Sequence, residues 1–302
     1  DRSGTTMLRL MLTCHPDIAI PPESLFALEL YPLWGEVRLE QAAQIETICN
    51  GLYDNEMFGE WQLDRAALEQ ALVDRLPLSF VDFVRLVYLA YARQHQPAAT
   101  HWGDKNPRYT MHLAWLWRLF PDAKVIHIIR DGRGVFGSFR DTNRKAGCTI
   151  WPEAVSAAAR SWTRRLTKAR QHRGNPNYTE IFYEELVESP ETELRRVCQF
   201  LELEFDPMML DFGEANRREE LVPKRQLVWH NATLGPVQGS RIAAWQQVLT
   251  PSDIARFELM TGHHLLSCGY PLQESRVGRF RVVNTIALYG ATFLRKFLGM
   301  NV

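Results

Sequence analysis

The run Lys124–Arg130 (KVIHIIR) limits the fold more than any other segment, because it is β-branched and apolar, the pattern of a strand buried in a parallel sheet. Asp131-Gly132 then turns the chain into a helix from about Arg133. Further along, Thr179–Tyr183 reads as a second strand and Pro190–Leu201 as the helix after it, with no internal repeat in the sequence. Upstream, Asp17–Ile20 reads as a short strand closed by Pro21-Pro22, and the apolar spacing of Met7, Leu8, Met11 and Leu12 predicts a helix just after Gly4-Thr5-Thr6. Residues 39–50 and 63–96 are helix-rich with a break at Pro77, and Tyr109–Phe120 predicts a helix stopped by Pro121-Asp122. Trp151–His172 predicts a long helix, and Asp206–Gly239 loops and short helices, with Glu214–Glu220 a solvated face. Strands alternating with helices predict an α/β fold, a single domain with a parallel sheet flanked by helices over residues 1–274, for which 302 residues suffice.

Lys plus Arg and Asp plus Glu number 35 each, so no global field attracts nucleic acid, and an anion site has to be local. The five cysteines are odd in number and form no CxxC pair, which argues against a disulfide scaffold or a zinc site and for reduced thiols in a cytoplasm. No uninterrupted apolar stretch reaches the length of a membrane span. The chain opens at Asp1 directly onto a glycine-containing loop of the kind that normally follows a buried strand, so we expect a fragment whose first strand, and any signal or anchor, lies before residue 1.

That loop, Arg2-Ser3-Gly4-Thr5-Thr6, has the composition of an anion cradle. Gly4 lets the backbone come close, the helix start offers amides, Thr5 and Thr6 add hydroxyls, and Arg2 supplies a two-pronged cation. A Ser/Thr-capped helix would explain the same residues without a ligand. Against the P-loop of nucleotide triphosphatases, Gly4 and Thr6 fit, but the Lys position holds Thr5 and the cation has moved to Arg2, which weakens a kinase reading. A second clamp is visible where Arg130 ends its strand and Ser138 follows on the next helix, the place where α/β folds hold ligands. A surface ion pair of Arg130 with Asp131 or Asp141 is the plainer alternative.

Jointly, RSGTT and RDGRxxxxS resemble the PAPS-dependent sulfotransferases, whose donor, 3'-phosphoadenosine 5'-phosphosulfate, carries a 5'-phosphosulfate and a 3'-phosphate. The tyrosylprotein branch is most similar, through RSGTTMLRLMLTCHP, PPES, DKNP, RLFPDAK, RDGRGVFGS, FYEELVESP and PVQ…W…CGY, in order along nearly the whole chain. The resemblance implies a P-loop nucleotide-kinase-like fold and assigns Arg2, Ser3, Gly4, Thr5 and Thr6 to the 5'-phosphosulfate. It assigns Arg130 and Ser138 to the 3'-phosphate, Tyr183 to the nucleotide, Glu23 to the general base and Lys105 to the leaving group. Two departures stand out: Pro21 and Asp104 occupy cysteine positions of the tyrosylprotein enzymes, and Leu25 and Glu29 occupy arginine positions that hold acidic peptides there.

A hydroxyl acceptor is a poor nucleophile unless a base takes its proton, so Glu23, on a stiff Pro-Pro support, is the candidate base, with Arg2 and Lys105 stabilising charge as electrostatic catalysts. His15, His101 and His127 are alternative bases, His127 reading better as a core residue. Ser240, Arg241 and Trp245 form a basic-aromatic patch expected to cover the nucleotide. No metal cluster is legible, and the product would be adenosine 3',5'-bisphosphate (PAP). The acceptor is left open among a small molecule, lipid, glycan or carrier-bound hydroxyl. The tail 275–302, with Arg276, Arg279, Arg281, Arg295 and Lys296 among apolar residues, predicts a basic amphipathic helix that docks on its own domain, a membrane surface or a partner; a homodimer is also open. A kinase, or a PAP-binding module without turnover, are the competing functions.

Overall fold

The structure, a computed structural model, describes residues 1–219, 221–223 and 234–273. From the N-terminus the chain runs through α1 (Thr5–Thr13), β1 (Ile18–Ala19), α2 (Phe26–Trp34), α3 (Ala42–Tyr53), α4 (Glu56–Gly59), α5 (Arg65–Val73) and α6 (Phe80–His95). After them come β2 (His101–Trp102), a 3-10 turn at Pro107–Met111, α7 (Leu113–Leu119), β3 (Val125–Ile129), α8 (Gly132–Ala146) and α9 (Val155–Arg170). Then follow β4 (Tyr178–Phe182), α10 (Tyr183–Glu188), α11 (Pro190–Leu201), α12 (Phe212–Glu219) and two helices at Trp245–Val248 and Pro251–Ser267.

The α/β class holds, with more helix than the pattern implied. Among the described residues the strands form two two-stranded sheets, β1 with β2 and β3 with β4. β1 and β2 are parallel, with Ile18 opposite His101 and Ala19 opposite Trp102. The predicted strand at 124–130 appears as β3, and α11 has the bounds read from the sequence. The predicted helix Tyr109–Phe120 is divided at His112, whose φ of -131° leaves the helical region between the 3-10 turn and α7.

The described residues divide into two compact units, one built from Ser3–Ile128 and Gly174–Val237, the other from Arg2, Ile129–Arg173 and the chain from Gln238 onward. In the first, an aromatic core formed by Phe26, Phe58, Trp61, Phe80 and Phe83 lies fully buried among α2 to α6. Phe26 and Trp61 meet edge to face at 5.6 Å, a geometry that adds about 1 kcal/mol beyond burial. α6 starts where it does because Ser79 and Asp82 close a capping box just after Pro77.

In the second unit, α8 and α9 pack with the helix Pro251–Ser267. Asp131 caps α8 by accepting the Arg133 N–H at 2.8 Å. Arg133 is buried between two carboxylates, donating to Asp131 at 2.6 Å and to Glu258 at 2.5 Å, and its guanidinium lies 4.5 Å from the Trp245 ring centre. Gly132 is obligatory here: a Cβ would sit 2.8 Å from both Phe257 and Trp162. The helix Pro251–Ser267 was not read from the sequence, although Thr250, Pro251 and Asp253 spell a capped helix start. The amphipathic helix expected over 275–302 lies outside the described residues.

Candidate active site

The first unit carries the loop and the acid–base pair. Gly4 is the N-cap of α1 in left-handed conformation, φ 89°, and brings no side chain to the start of that helix. The N-cap is thus a glycine rather than a Ser or Thr, and the backbone amides of the first turn are of the kind that bind anions. A Cβ at Gly4 would come within 2.5 Å of the Tyr183 ring. Tyr183 is buried and opens α10, one residue past the end of β4, so its ring floors the loop. Thr6 is buried as well, while Ser3 and Thr5 are half-buried.

Glu23 sits in a segment whose backbone carbonyls are gripped by side chains from elsewhere in the chain. Arg9 Nη1 donates to Ile20 O at 3.1 Å, Trp61 Nε1 to Pro22 O at 2.9 Å, and Asn106 Nδ2 to Ser24 O at 3.2 Å. Arg9 also donates to Leu221 O at 2.6 Å. With the Pro21-Pro22 pair, these donors fix the approach of the Glu23 carboxylate, which forms an ion pair and hydrogen bond with Lys105 Nζ. The Lys105 side chain is 11% exposed and that of Glu23 24%. Burial pushes the Lys105 ammonium below its ordinary pKa, and Glu23 opposes that shift.

Beside them, both carboxylate oxygens of Asp104 are out of solvent and without a hydrogen-bond partner of normal geometry. Burial pushes this carboxyl up to about 6, although the nearby Tyr109 and Tyr88 hydroxyls work to lower it. The two tyrosines are themselves raised well above their usual range, first by burial and then by Asp104.

The second unit carries the candidate 3'-phosphate residues. Arg2, at φ 60°, donates through Nε to Ser138 Oγ at 3.0 Å. Arg130 donates to Arg2 O at 3.1 Å and to Arg241 O at 3.0 Å. Arg2, Arg130, Ser138 and Arg241, distant in sequence, are thus brought together. Asp131 accepts from Arg133, and Asp141 from Arg144 and Lys145. Ser240 and Arg241 form an exposed 3-10 turn, whereas Trp245 is buried, stacked on Arg133 and set against Gly137.

The alternative bases are differently employed. His15 is buried; Asp17 N–H donates to its Nδ1 at 3.1 Å, which leaves Nε2 to donate to Glu204 O at 2.8 Å. His127 Nδ1 meets the Tyr178 hydroxyl at 2.6 Å, as a core histidine would. His101 is exposed on β2 with Nδ1 against Thr100 Oγ1 at 2.9 Å. Arg9, Trp61, Asn106 and Asp104 were not singled out by the sequence in these roles. Among the described residues no group of His, Cys, Asp and Glu is placed to hold a metal, and no helix is long and apolar enough to cross a membrane.

Comparison with known proteins adds the lineage. The model of the Sulfotransferase family matches residues 1–207. Nodulation protein NoeE of Sinorhizobium fredii is 28% identical over 302 residues, 91% of this chain and 66% of the relative. Protein-tyrosine sulfotransferase A of Caenorhabditis elegans is 24% identical over 220 residues, 69% of this chain and 50% of the relative. The chain thus spans between half and about two thirds of the length of these relatives. Two solved structures share the fold: the sulfotransferase domain from the curacin biosynthetic pathway (TM-score 0.61, 20% identity, 90% of this chain and 95% of that one), and that of the Synechococcus PCC 7002 olefin synthase (TM-score 0.59, 21% identity, 90% and 92%).

Proposed function

Since the chain belongs to the sulfotransferase family, we propose that it transfers a sulfuryl group from PAPS to a hydroxyl acceptor by in-line displacement. The observation that carries this reading is the half-buried Glu23–Lys105 pair: a carboxylate and an ammonium on a stiffened backbone, at the positions the resemblance gives to base and leaving-group cation. Glu23 takes the acceptor proton as the new S–O bond forms. Lys105 and Arg2 hold the charge that grows on the leaving phosphate oxygen and the sulfuryl oxygens.

The loop fits the donor on two counts. Its N-cap is a glycine, and the space that a Cβ on Gly4 would need is already filled by Tyr183, so the backbone itself is the contact surface. Arg130 and Ser138 are assigned the 3'-phosphate, with Ser240 and Arg241 at its edge.

The acceptor is proposed to be something other than an acidic peptide. Several relatives are named for protein tyrosine, but Leu25 here is buried and Glu29 already accepts from Asn55 Nδ2 at 2.7 Å. Neither offers a cation to an acidic flank. A small molecule, lipid, glycan or carrier-bound hydroxyl fits better.

Calorimetry with PAP and with adenosine 5'-phosphosulfate, which lacks the 3'-phosphate, tests the donor assignment. Arg130→Ala is expected to weaken PAP by about 2 kcal/mol, roughly thirtyfold, the scale of a lost charged hydrogen bond, and to leave the second ligand nearly unchanged. Equal losses would reduce Arg130 to its grip on the Arg2 and Arg241 carbonyls. Turnover of ATP in place of PAPS would make the chain a kinase, and PAP binding without transfer to any acceptor a binding module.

A further inference from the structure

The even balance of 35 cations and 35 acids conceals a division between the two units. Among the described residues the second unit holds fourteen Lys and Arg against five Asp and Glu, whereas the first holds fourteen against twenty-eight. Such asymmetry within a neutral chain makes one part of it a partner for anions. The five acids of the basic unit are already engaged. Asp131 and Glu258 hold Arg133, Asp253 holds Arg140, and Asp141 holds Arg144 and Lys145. Glu153 accepts from Asn143 Nδ2 at 3.3 Å and from Thr149 Oγ1 at 3.0 Å.

The excess gathers on α9, since residues 155–173 contain no acid. Ala158, Ala159, Trp162, Leu166 and Ala169 are its buried side, which leaves Arg160, Arg164 and Lys168 as an exposed row one turn apart. The helix Pro251–Ser267 runs beside α9 in the same direction. The Trp162 and Phe257 ring centres lie 6.3 Å apart, and further along Arg170 Nη1 donates to Ser267 Oγ at 3.2 Å. In that register Arg164 falls level with Leu259 and Met260. These two and Leu266 are large apolar side chains that stay 47%, 40% and 45% exposed. Gln273 N donates to Glu258 Oε1 at 3.0 Å, so residues 274–302 leave from this same helix, and their sequence adds five cations and one acid among apolar residues.

We propose that the exposed sides of α9 and of the helix Pro251–Ser267 form a docking surface for an anionic lipid membrane. Arg160, Arg164 and Lys168 meet the phosphate groups, while Leu259, Met260 and Leu266 enter the layer beneath them. An acidic protein surface or a nucleic acid would satisfy the cations alone and leave the apolar row in water. A bilayer interface satisfies both rows at once. None of these side chains has a part in the proposed reaction, so the docking surface stands or falls apart from the sulfuryl-transfer reading.

Co-sedimentation of the full chain with vesicles tests this without any turnover. The probes are phosphatidylcholine alone and phosphatidylcholine mixed with phosphatidylglycerol. The protein should bind the mixed vesicles only, and less as salt is raised. Arg160→Gln, Arg164→Gln and Lys168→Gln combined should cut that binding on the order of 100-fold, about fivefold per cation. Leu259→Ser, Met260→Ser and Leu266→Ser combined should cut it about tenfold or more and leave its salt dependence in place. All six positions are exposed, so both variants should melt as wild type does; if one fails to fold, the single changes Arg164→Gln and Leu259→Ser replace it, each with a smaller loss of the same kind.

Three results overturn the proposal. The first is no binding to the mixed vesicles. The second is binding undiminished by the α9 variant, which would put the contact elsewhere in the chain. The third is binding that falls with the α9 variant but ignores the apolar one, which would make this surface a site for a soluble polyanion or an acidic protein.

Discussion

At the scale of single residues, the candidate base is a matter of support before it is a matter of acidity. Ile20, Pro22 and Ser24 each offer a carbonyl that a distant side chain occupies, so the Glu23 backbone has little freedom left. Glu23→Gln should leave melting temperature and PAP affinity near wild type and lower kcat on the order of 10²-fold or more, the usual scale for a lost general base. A variant that keeps most of its kcat would move the base elsewhere. Asp104 gives a test of opposite sign. Its carboxyl is raised from 3.8 to about 6, so its contribution to stability is full below pH 3.8 and is lost as pH rises through about 6. At roughly 1.4 kcal/mol per unit the ionised group costs up to about 3 kcal/mol at neutral pH. Thermal unfolding of Asp104→Asn should therefore show its gain over wild type above pH 6 and lose it near pH 4. A gain of the same size at both pH values would disprove the linkage.

At the scale of elements, the loop and α1 work as one device. Gly4 is left-handed and pressed against Tyr183, so Gly4→Ala meets both an unfavourable φ, worth about 1–2 kcal/mol, and a ring 2.5 Å from the new atom. PAP affinity should fall at least tenfold together with a lowered melting temperature; unchanged affinity in calorimetry would detach the loop from the donor. The sequence displayed this device, and also β3, α11 and the start of α8, because buried strands and capped helices leave periodic or punctuated patterns in a single segment. It did not display β2, whose two residues His101 and Trp102 are too few for any period and exist as a strand only through pairing with β1. Nor did it display α2, which carries Pro32 inside its span. Arg9, Trp61 and Asn106 were hidden for a different reason. Their role is to bind backbone carbonyls 11, 39 and 82 residues away, and such partners are set by tertiary packing. Glu23 and Lys105 were legible as residue types in a shared motif order, whereas their ion pair, across 82 residues of chain, became visible only in the fold.

At the scale of the whole molecule, the second compact unit is assembled from two stretches of chain, Ile129–Arg173 and the part from Gln238 onward, while the family match stops at residue 207. Conserving the matched segment alone would therefore leave that unit unfinished. Glu258 is one of two carboxylates on the buried Arg133, Phe257 closes over Gly132, and Trp245 lies on Arg133 and against Gly137. A chain ending at Val237 lacks all three. A buried charge left half-paired costs about 3–5 kcal/mol, and losing a fully buried aromatic a further 3–5 kcal/mol. Their sum takes up most of the roughly 5–15 kcal/mol that holds an ordinary domain together. Hydrogen exchange should accordingly show α8 and α9 unprotected in the truncated chain, with α11 and the aromatic core of the first unit still protected. Glu258→Gln in the full chain, which keeps the packing and removes only one charge, should retain protection in α8 at a lowered melting temperature. Native-like protection of α8 after truncation would mean that the unit is complete without its second stretch, and that the Arg133 network carries little of its stability.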